Sequence, residues 1–439
     1  MIKLDLIKRF FSQGLKLQSI VDVLCMGFLI SFNLVWLWPF LREVGNAGSL
    51  SAPVIPAFAL ILSRVLPINE CQVAAYVVLF GQLLGVVAFY LFLKELTGRS
   101  LPGLMVSFFY SLPVKLLALD RLRFAWVHGD GAHIAALGLF PFVCYFLLTF
   151  LKRGRITYGF VSSLGIALVG LVNAFALFNL LLFLLVIFFS ELILGQTKVK
   201  TARFLVILLF AWGFLSFWYT PGTIWELINS GQGRLIISLF GRLLPLSFFV
   251  GPILLVFAYL IFESRESLQP IALALGFLVI YLFLNLVEYL AYADIERYVL
   301  LPRRFLPELG LSIALVLGIA ATISLDALGA LSKFGKLILP KDEMAGEEKR
   351  GVSFLFLILI WLVGMAFVYF FLPTELILAD IRMVKSTGPC VGDFWLTHGQ
   401  LCLRNCTNWL DNCVGFGMTA MSFVFMFVLV SLGAKRGLT

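Results

Sequence analysis

The sequence predicts an all-α integral membrane protein with about twelve transmembrane helices, short extracytoplasmic helices or loops, and no soluble domain. Of its 439 residues, 61% are hydrophobic and only 13% are charged, and the mean hydropathy is +1.03. A soluble domain has about 25% charged residues. Apolar runs of roughly 20 residues recur along the whole chain, each long enough to cross a bilayer as a helix. Helices satisfy their own backbone hydrogen bonds, which hydrocarbon cannot do. We therefore treat residues 1–439 as a single polytopic transmembrane domain.

The predicted spans are separated by short polar or glycine-containing turns. They lie near residues 19–40, 73–95, 100–117, 132–151, 157–172, 174–194, 203–219, 243–262, 270–290, 305–328, 353–373 and 414–434. Asn173 is expected at the turn of a tight hairpin between the fifth and sixth spans. The segment Ser49–Leu66 (SLSAPVIPAFALILSRVL) is too short to span, so it is expected to lie along the interface or to re-enter.

Basic residues fall in alternate loops, which indicates the orientation of the chain. With a cytoplasmic N-terminus, the loops on the inside contain Lys94, Arg99, Lys152, Arg153, Arg155, Lys198, Lys200, Arg203, Arg265, Lys333, Lys336, Lys341, Lys349 and Arg350. This is the positive-inside pattern, and it predicts that both termini are cytoplasmic. The net charge of +9 is explained by this use of Lys and Arg, so nucleic acid is not expected as a partner.

The long loop at residues 374–413 is predicted to be extracytoplasmic, and it contains four of the 7 cysteines. These are Cys390, Cys402, Cys406 and Cys413. An even number of cysteines outside the membrane favours two disulfides, in any of three pairings. A zinc site with four thiolate ligands and free thiols are the alternatives, although the spacing lacks the short paired knuckles that zinc sites usually have.

The stretch RFAWVHGDGAH, residues 123–133, contains two of the 3 histidines and is predicted at the outer end of the fourth span. Asp130 would lie near the start of a helix, where a carboxylate can cap and is favoured by the helix dipole. A capping role for Asp130 does not explain why His128 and His133 lie beside it. Two other roles for this stretch are possible. It could bind or act on a substrate, with Arg123 nearby, or the pattern His-x-Asp-x-x-His could bind a metal ion.

A second group of charges is predicted on the same side of the membrane. It consists of Glu288, Asp294, Glu296, Arg297, Arg303, Arg304 and Glu308. Positive residues outside the membrane run against the inside-positive trend, so they require another explanation. They either anchor lipid headgroups or bind the phosphate of a lipid carrier in bidentate fashion.

Several short motifs resemble those of the GT-C superfamily of multi-spanning membrane glycosyltransferases and their uncharacterised bacterial and archaeal relatives. They are YLFLKELTG at 90–98, FYSLP at 109–113, GDGAH at 129–133, LFPF at 139–142 and KRGR at 152–155. The resemblance implies a membrane-embedded enzyme that takes sugar from a polyprenyl-phosphate donor at an extracytoplasmic site.

In that superfamily an acidic residue of the first large outside loop acts as a base or a metal ligand. This loop here offers only Glu43 and Glu70, and the Asp pair of many relatives is absent. The candidate catalytic residues are therefore Glu43, Glu70, Asp120 and Asp130, and a divalent metal ion is the one cofactor that the resemblance suggests.

Two other classes of protein fit the composition. A transporter or flippase of about twelve helices would explain the span count. A non-catalytic membrane subunit would explain the sparse charge. The expected partners are membrane lipids, a lipid-linked sugar or other amphiphilic substrate, and other membrane proteins.

Overall fold

The chain is helical in every part that the structure, a computed structural model, describes: residues 17–43, 54–67, 70–114, 116–126, 130–229, 269–294, 305–327 and 409–435. Within these ranges the helices are α1 Leu17–Glu43, α2 Val54–Val65, α3 Glu70–Thr97, α4 Ser100–Ser111, α5 Ala118–Trp126, α6 Gly131–Arg153, α7 Ile156–Val172, α8 Ala174–Ile193, α9 Thr197–Leu215, α10 Pro221–Asn229, α11 Gln269–Asp294, α12 Leu306–Ala327 and α13 Trp409–Lys435.

Seven of these helices are long and apolar enough to cross a membrane, namely α1, α3, α6, α8, α11, α12 and α13. The multi-pass prediction is thus confirmed, whereas a total of about twelve spans is not. Helix α7 is apolar but has only 17 residues. Helix α9 begins at Thr197, six residues before the predicted span, and therefore includes Lys198, Lys200 and Arg203. The predicted spans 243–262 and 353–373 lie outside the described residues.

The predicted third span at 100–117 is wrong as a continuous helix. Helix α4 ends at Ser111, where Leu112 is extended with ψ 125°. Leu112 precedes Pro113, and the residue before a proline disfavours the helical conformation. Leu116 then adopts a positive φ of 68°. A short helix, α5, follows in place of a membrane-crossing segment.

Two turns form as the sequence predicts. Asn173 ends α7 and begins α8, and its side chain accepts a hydrogen bond from Ala176 N at 2.9 Å. An asparagine at this position satisfies one of the donors that a helix start leaves unpaired. Gly154 ends α6 in the left-handed conformation, with φ 72°. Glycine adopts this conformation without steric cost.

Helices α3 and α6 approach each other closely through small residues. A Cβ added at Gly81 would lie 2.9 Å from the carbonyl oxygen of Ala135, and one at Gly85 would lie 3.1 Å from Gly138 Cα. Small residues allow membrane helices to pack backbone against backbone, where van der Waals contact replaces the hydrophobic effect. This packing fixes α6 at the centre of the bundle, and 78% of its span is buried.

Side-chain contacts divide the helix termini into two groups, one at each end of the bundle. At the first, which we call the basic end, Lys94 and Asp22 pair at the end of α3 and the start of α1, and Arg153 and Glu95 pair at 2.6 Å. Lys200 likewise pairs with Glu191 at 2.8 Å. At the second, the network end, lie the starts of α6, α8 and α12. Among the described residues, the basic turns near 94–99, 152–155 and 198–203 therefore lie at one end of the bundle, as predicted.

The last helix, α13, joins the bundle along α9. Thr419 Oγ1 donates to Gly213 O at 2.8 Å and accepts from Phe217 N at 3.1 Å. At the network end, the Asp411 carboxylate accepts from Gly222 N at 3.1 Å, and it also accepts from the hydroxyl of Thr220. Because Gly222 lies in the first turn of α10, Asp411 satisfies a free amide of that helix.

Candidate functional site

A buried polar network joins α6, α8 and α12 at the network end. His133 Nε2 lies 2.6 Å from Glu308 Oε1. Asn179 Nδ2 donates to the same oxygen at 2.6 Å. His133, Glu308 and Asn179 are all 0% exposed. Buried polar groups in membrane helices are costly, and they commonly belong to a functional site.

The network extends outward through Asp130 and inward through Tyr281. Asp130 Oδ2 lies 3.4 Å from His133 Nδ1, and the Asp130 side chain retains 9% exposure, against 0% for His133. Tyr281 of α11 donates its hydroxyl to Asn179 O at 3.0 Å. Asp130 is therefore the point where this set of residues comes closest to the surface.

Asp130 occupies the N-cap position of α6, but its side chain makes no capping hydrogen bond. Its carboxylate instead approaches the imidazole one turn along the helix. A capping role would require that carboxylate to accept from the free backbone amides of the first turn. The interpretation of Asp130 as a simple cap is therefore not supported, and its carboxylate lies beside the imidazole of the network.

Aromatic rings enclose the imidazole. The Phe175 ring of α8 lies edge-on to His133 with centroids 5.2 Å apart, and the Phe124 ring of α5 does so at 6.1 Å. Phe175 also contacts Phe305, the residue just before α12, at 5.0 Å. These rings lower the local polarity and so strengthen the electrostatic interactions within the network.

Arg121 is a second buried charged group next to the network. Its guanidinium carbon lies 3.4 Å from the Tyr110 ring centroid, and the group donates to the backbone carbonyl of Tyr110. That carbonyl belongs to the last turn of α4, whose carbonyls lack helical partners. Burial lowers the pKa of Arg121 to about 10, so the side chain is still charged at neutral pH. Arg121 thus supports the break between α4 and α5.

The geometry does not fit the divalent metal ion suggested by the superfamily resemblance. The two ring nitrogens of His133 face opposite carboxylates, Asp130 from Nδ1 and Glu308 from Nε2. Groups on opposite sides of an imidazole cannot bind one ion together. Within the described ranges, no three His, Cys, Asp or Glu side chains are grouped so that they could hold a metal. We derive no step through a metal.

The structure places the other predicted site residues away from the network or does not describe their side chains. Asp120 accepts a hydrogen bond from Leu116 N at 2.7 Å, so its carboxylate supports its own turn. Arg123 is partly buried on α5. Glu43 ends α1 and Glu70 begins α3, and the structure describes only their backbone. His128, Arg297, Arg303 and Arg304 lie outside the described residues, as do Cys390, Cys402 and Cys406.

Of the four cysteines in the predicted outer loop, the structure describes only Cys413. It is an exposed free thiol, and it lies inside α13, which begins four residues earlier at Trp409. The other three lie outside the described residues, so the two disulfides stay a prediction. Cys25 and Cys144 are buried free thiols, as expected for small apolar packing residues.

Sequence reasoning did not select Asn179, Tyr281 or Arg121, and it treated Glu308 only as one of a group of charges. A usable signal was present. Asn179 is an isolated polar residue within AFALFNLLLFLLV, residues 174–186. A polar residue inside a membrane span is expected to face the bundle interior and to have a partner there.

The fold and the network define the chain as a multi-pass helical membrane protein with a buried acid–imidazole site at one end of its bundle. No family model matches the chain, and no curated protein matches it in sequence.

Proposed function

We propose that the protein transfers a sugar from a polyprenyl-phosphate donor at the network end of the bundle, which we assign to the extracytoplasmic side. The supporting observation is the contact between His133 and Glu308 at 2.6 Å. It joins one residue from each of the two segments that the sequence suggested for this chemistry, His133 from 123–133 and Glu308 from 288–308. Asp130 is the carboxylate nearest the surface and serves as the base that deprotonates the acceptor hydroxyl.

The proposal also draws on the sequence next to the network. Arg303 and Arg304 directly precede Phe305, whose carbonyl accepts from Asn285 at 3.2 Å. Arginine binds phosphate through two parallel hydrogen bonds. This pair is therefore our candidate for binding the donor phosphate.

Transfer is tested with the purified protein in nanodiscs that contain polyprenyl-phosphate monosaccharides, by following the release of polyprenyl phosphate. Asp130→Asn is expected to lower kcat by about 10²–10⁴-fold. Glu95→Gln is the matched control, because Glu95 pairs with Arg153 at the basic end. Equal rates for Asp130→Asn and the wild type would contradict the catalytic assignment. Equal affinity for a polyprenyl phosphate and for the corresponding polyprenol would contradict the phosphate site.

Movement of a lipid or solute across the membrane is the second candidate function. The break between α4 and α5 favours it, because interrupted helices are typical of transporter binding sites. Proteoliposomes that contain a fluorescent polyprenyl phosphate distinguish the two functions. Transport predicts transfer of the intact lipid between leaflets, whereas glycosyl transfer predicts cleavage of the sugar–phosphate bond.

A further inference from the structure

His133 lies between two carboxylates, and each ring nitrogen faces one of them. The distances are 3.4 Å from Nδ1 to Asp130 Oδ2 and 2.6 Å from Nε2 to Glu308 Oε1. A neutral imidazole carries its proton on one nitrogen, and the partner of the other nitrogen determines which one. A carboxylate on each side allows a proton to enter the ring at one nitrogen while another proton leaves at the opposite nitrogen.

The groups around the imidazole leave few alternative partners. The elements packed against it contribute the rings of Phe124 from α5 and Phe175 from α8, which carry no titratable group. Among the described residues, the titratable groups that face the network are Asp130 on the imidazole's own helix, Glu308 on α12, Tyr110 on α4 and Tyr281 on α11. The Arg121 guanidinium of α5 lies beyond Tyr110, stacked on its ring. Both tyrosines lie on the Glu308 side. Of these described groups Asp130 retains some exposure, 9% of its side chain, so it is the one through which a proton would enter from the surface.

The balance of charge requires the network to hold a proton. Two ionised carboxylates beside a neutral imidazole would leave two negative charges in a water-poor interior, which costs several kcal/mol per charge. Glu308 Oε2 has no hydrogen-bond partner. Asn179 donates to the other oxygen, so it fixes the orientation of the carboxylate without neutralising it. A proton held on the imidazole, or passed to Glu308, removes this excess charge.

We propose that Asp130, His133 and Glu308 form a proton relay, in which Glu308 is the positioning residue that orients the imidazole and stores the transferred proton. The relay rests on the proposed glycosyl transfer. As the acceptor oxygen bonds to the sugar carbon, the bond from that carbon to the phosphate oxygen breaks, and its electron pair leaves with the polyprenyl phosphate. In the resting network His133 is an imidazolium between the two carboxylates. The acceptor proton passes to Asp130, while the imidazolium passes its Nε2 proton to Glu308, so all three side chains end neutral. The reverse steps return the proton to water after the products leave.

The chain offers a direct test because it contains only 3 histidines, His128, His133 and His398. Selective ¹⁵N labelling of histidine gives three imidazoles, and His133→Gln identifies one of them. We expect the His133 resonances to respond to both Asp130→Asn and Glu308→Gln, and not to the control Glu95→Gln. We also expect His133 to titrate well away from pH 6.5, the ordinary value for an exposed histidine. An ordinary titration that neither carboxylate variant alters would overturn the relay.

Two features keep this test informative. Asp130 makes no capping hydrogen bond, so Asp130→Asn removes none and is expected to fold even if Glu308→Gln does not. The resonances are measured without substrate, so a failure of the glycosyl-transfer assay does not decide the result. Where transfer is active, Glu308→Gln should lower kcat by about 10²-fold at unchanged KM, with a shifted pH profile, and Glu308→Asp should restore part of the rate. A purely structural role predicts an unchanged pH profile, and that result would also overturn the relay.

Discussion

His133 and Glu308 are separated by 175 positions in the sequence, yet their side chains meet at 2.6 Å in the interior of the bundle. The contact joins the first turn of α6 to the first turn of α12. Neither side chain is exposed. This pair of residues therefore links α6 to α12 and supplies the central groups of the candidate site.

The first prediction concerns the contribution of Glu308 to stability. Glu308→Ala removes the partner of both His133 and Asn179 and leaves their polar groups buried. We expect a loss of about 3–5 kcal/mol in the free energy of unfolding, the usual cost of breaking a buried pair. Denaturant unfolding in detergent micelles measures it. Thr322→Ala is the matched control on the same helix, because that hydroxyl only donates to Gly318 O at 2.8 Å. Similar losses for the two variants would contradict the central role of the pair.

The second prediction concerns the close approach of α3 and α6. A Cβ at Gly138 would overlap the backbone carbonyl of Gly81, so Gly138→Ala must push the helices apart. We expect a loss of roughly 1–3 kcal/mol, the usual cost of overpacking a core, and a lower melting temperature. Gly27→Ala is the control, because no atom lies within 4 Å of a Cβ added there. If Gly138→Ala melted like Gly27→Ala, the packing described above would be incorrect.

The third prediction concerns Arg121. Arg121→Lys keeps the charge but removes the planar group that stacks on Tyr110 at 3.4 Å and donates to its carbonyl. We expect a loss of about 1–3 kcal/mol, because both the cation–π contact and a hydrogen bond from a charged donor are weakened. The exposed Arg155 supplies the control Arg155→Lys, for which a change within about 0.5 kcal/mol is expected. Thermal melting compares the two, and an unchanged melting temperature for Arg121→Lys would rule out this supporting role.

The fourth prediction concerns the orientation of the two ends. Cys413 is exposed and lies in α13 close to Asp411, at the network end. The test uses a chain in which Cys390, Cys402 and Cys406 are replaced by Ser. If this end is extracytoplasmic, a membrane-impermeant maleimide should label Cys413 in intact cells, and the further change Cys413→Ser should remove that label. Arg155→Cys, in the turn at the basic end, should react only after permeabilisation. The opposite pattern would reverse the assignment of the two faces.

Local features of the sequence predicted the helical elements well. Apolar runs at 132–151, 174–194 and 305–328 correspond to α6, α8 and α12, with bounds displaced by no more than two residues. A run of apolar residues in hydrocarbon must form a helix to satisfy its backbone, whatever surrounds it. Asn173 was equally predictable, because its capping hydrogen bond to Ala176 N spans only three residues.

The break between α4 and α5 was harder to predict. Pro113 indicated a disturbance, but the surrounding residues are apolar enough for a continuous span. A contact between residues on different helices stabilises the break, because Arg121 of α5 donates a hydrogen bond to the Tyr110 carbonyl at the end of α4. A buried guanidinium is stable there only once α4, α5 and α12 have packed together. Hydropathy therefore predicted one span where the fold has two short helices.

The sequence by itself determined that this chain is a multi-pass helical membrane protein and that residues 123–133 are unusual. Backbone hydrogen bonding in a bilayer depends on local composition, so local composition was sufficient for these conclusions. Only the tertiary structure decided that Asp130 does not cap its helix and that Glu308 and Asn179 are the partners of His133. Those contacts join three helices across 175 and 129 positions. Each of these side chains meets its partner only when the helices pack. The spacing of residues along the chain does not predict which helices pack together.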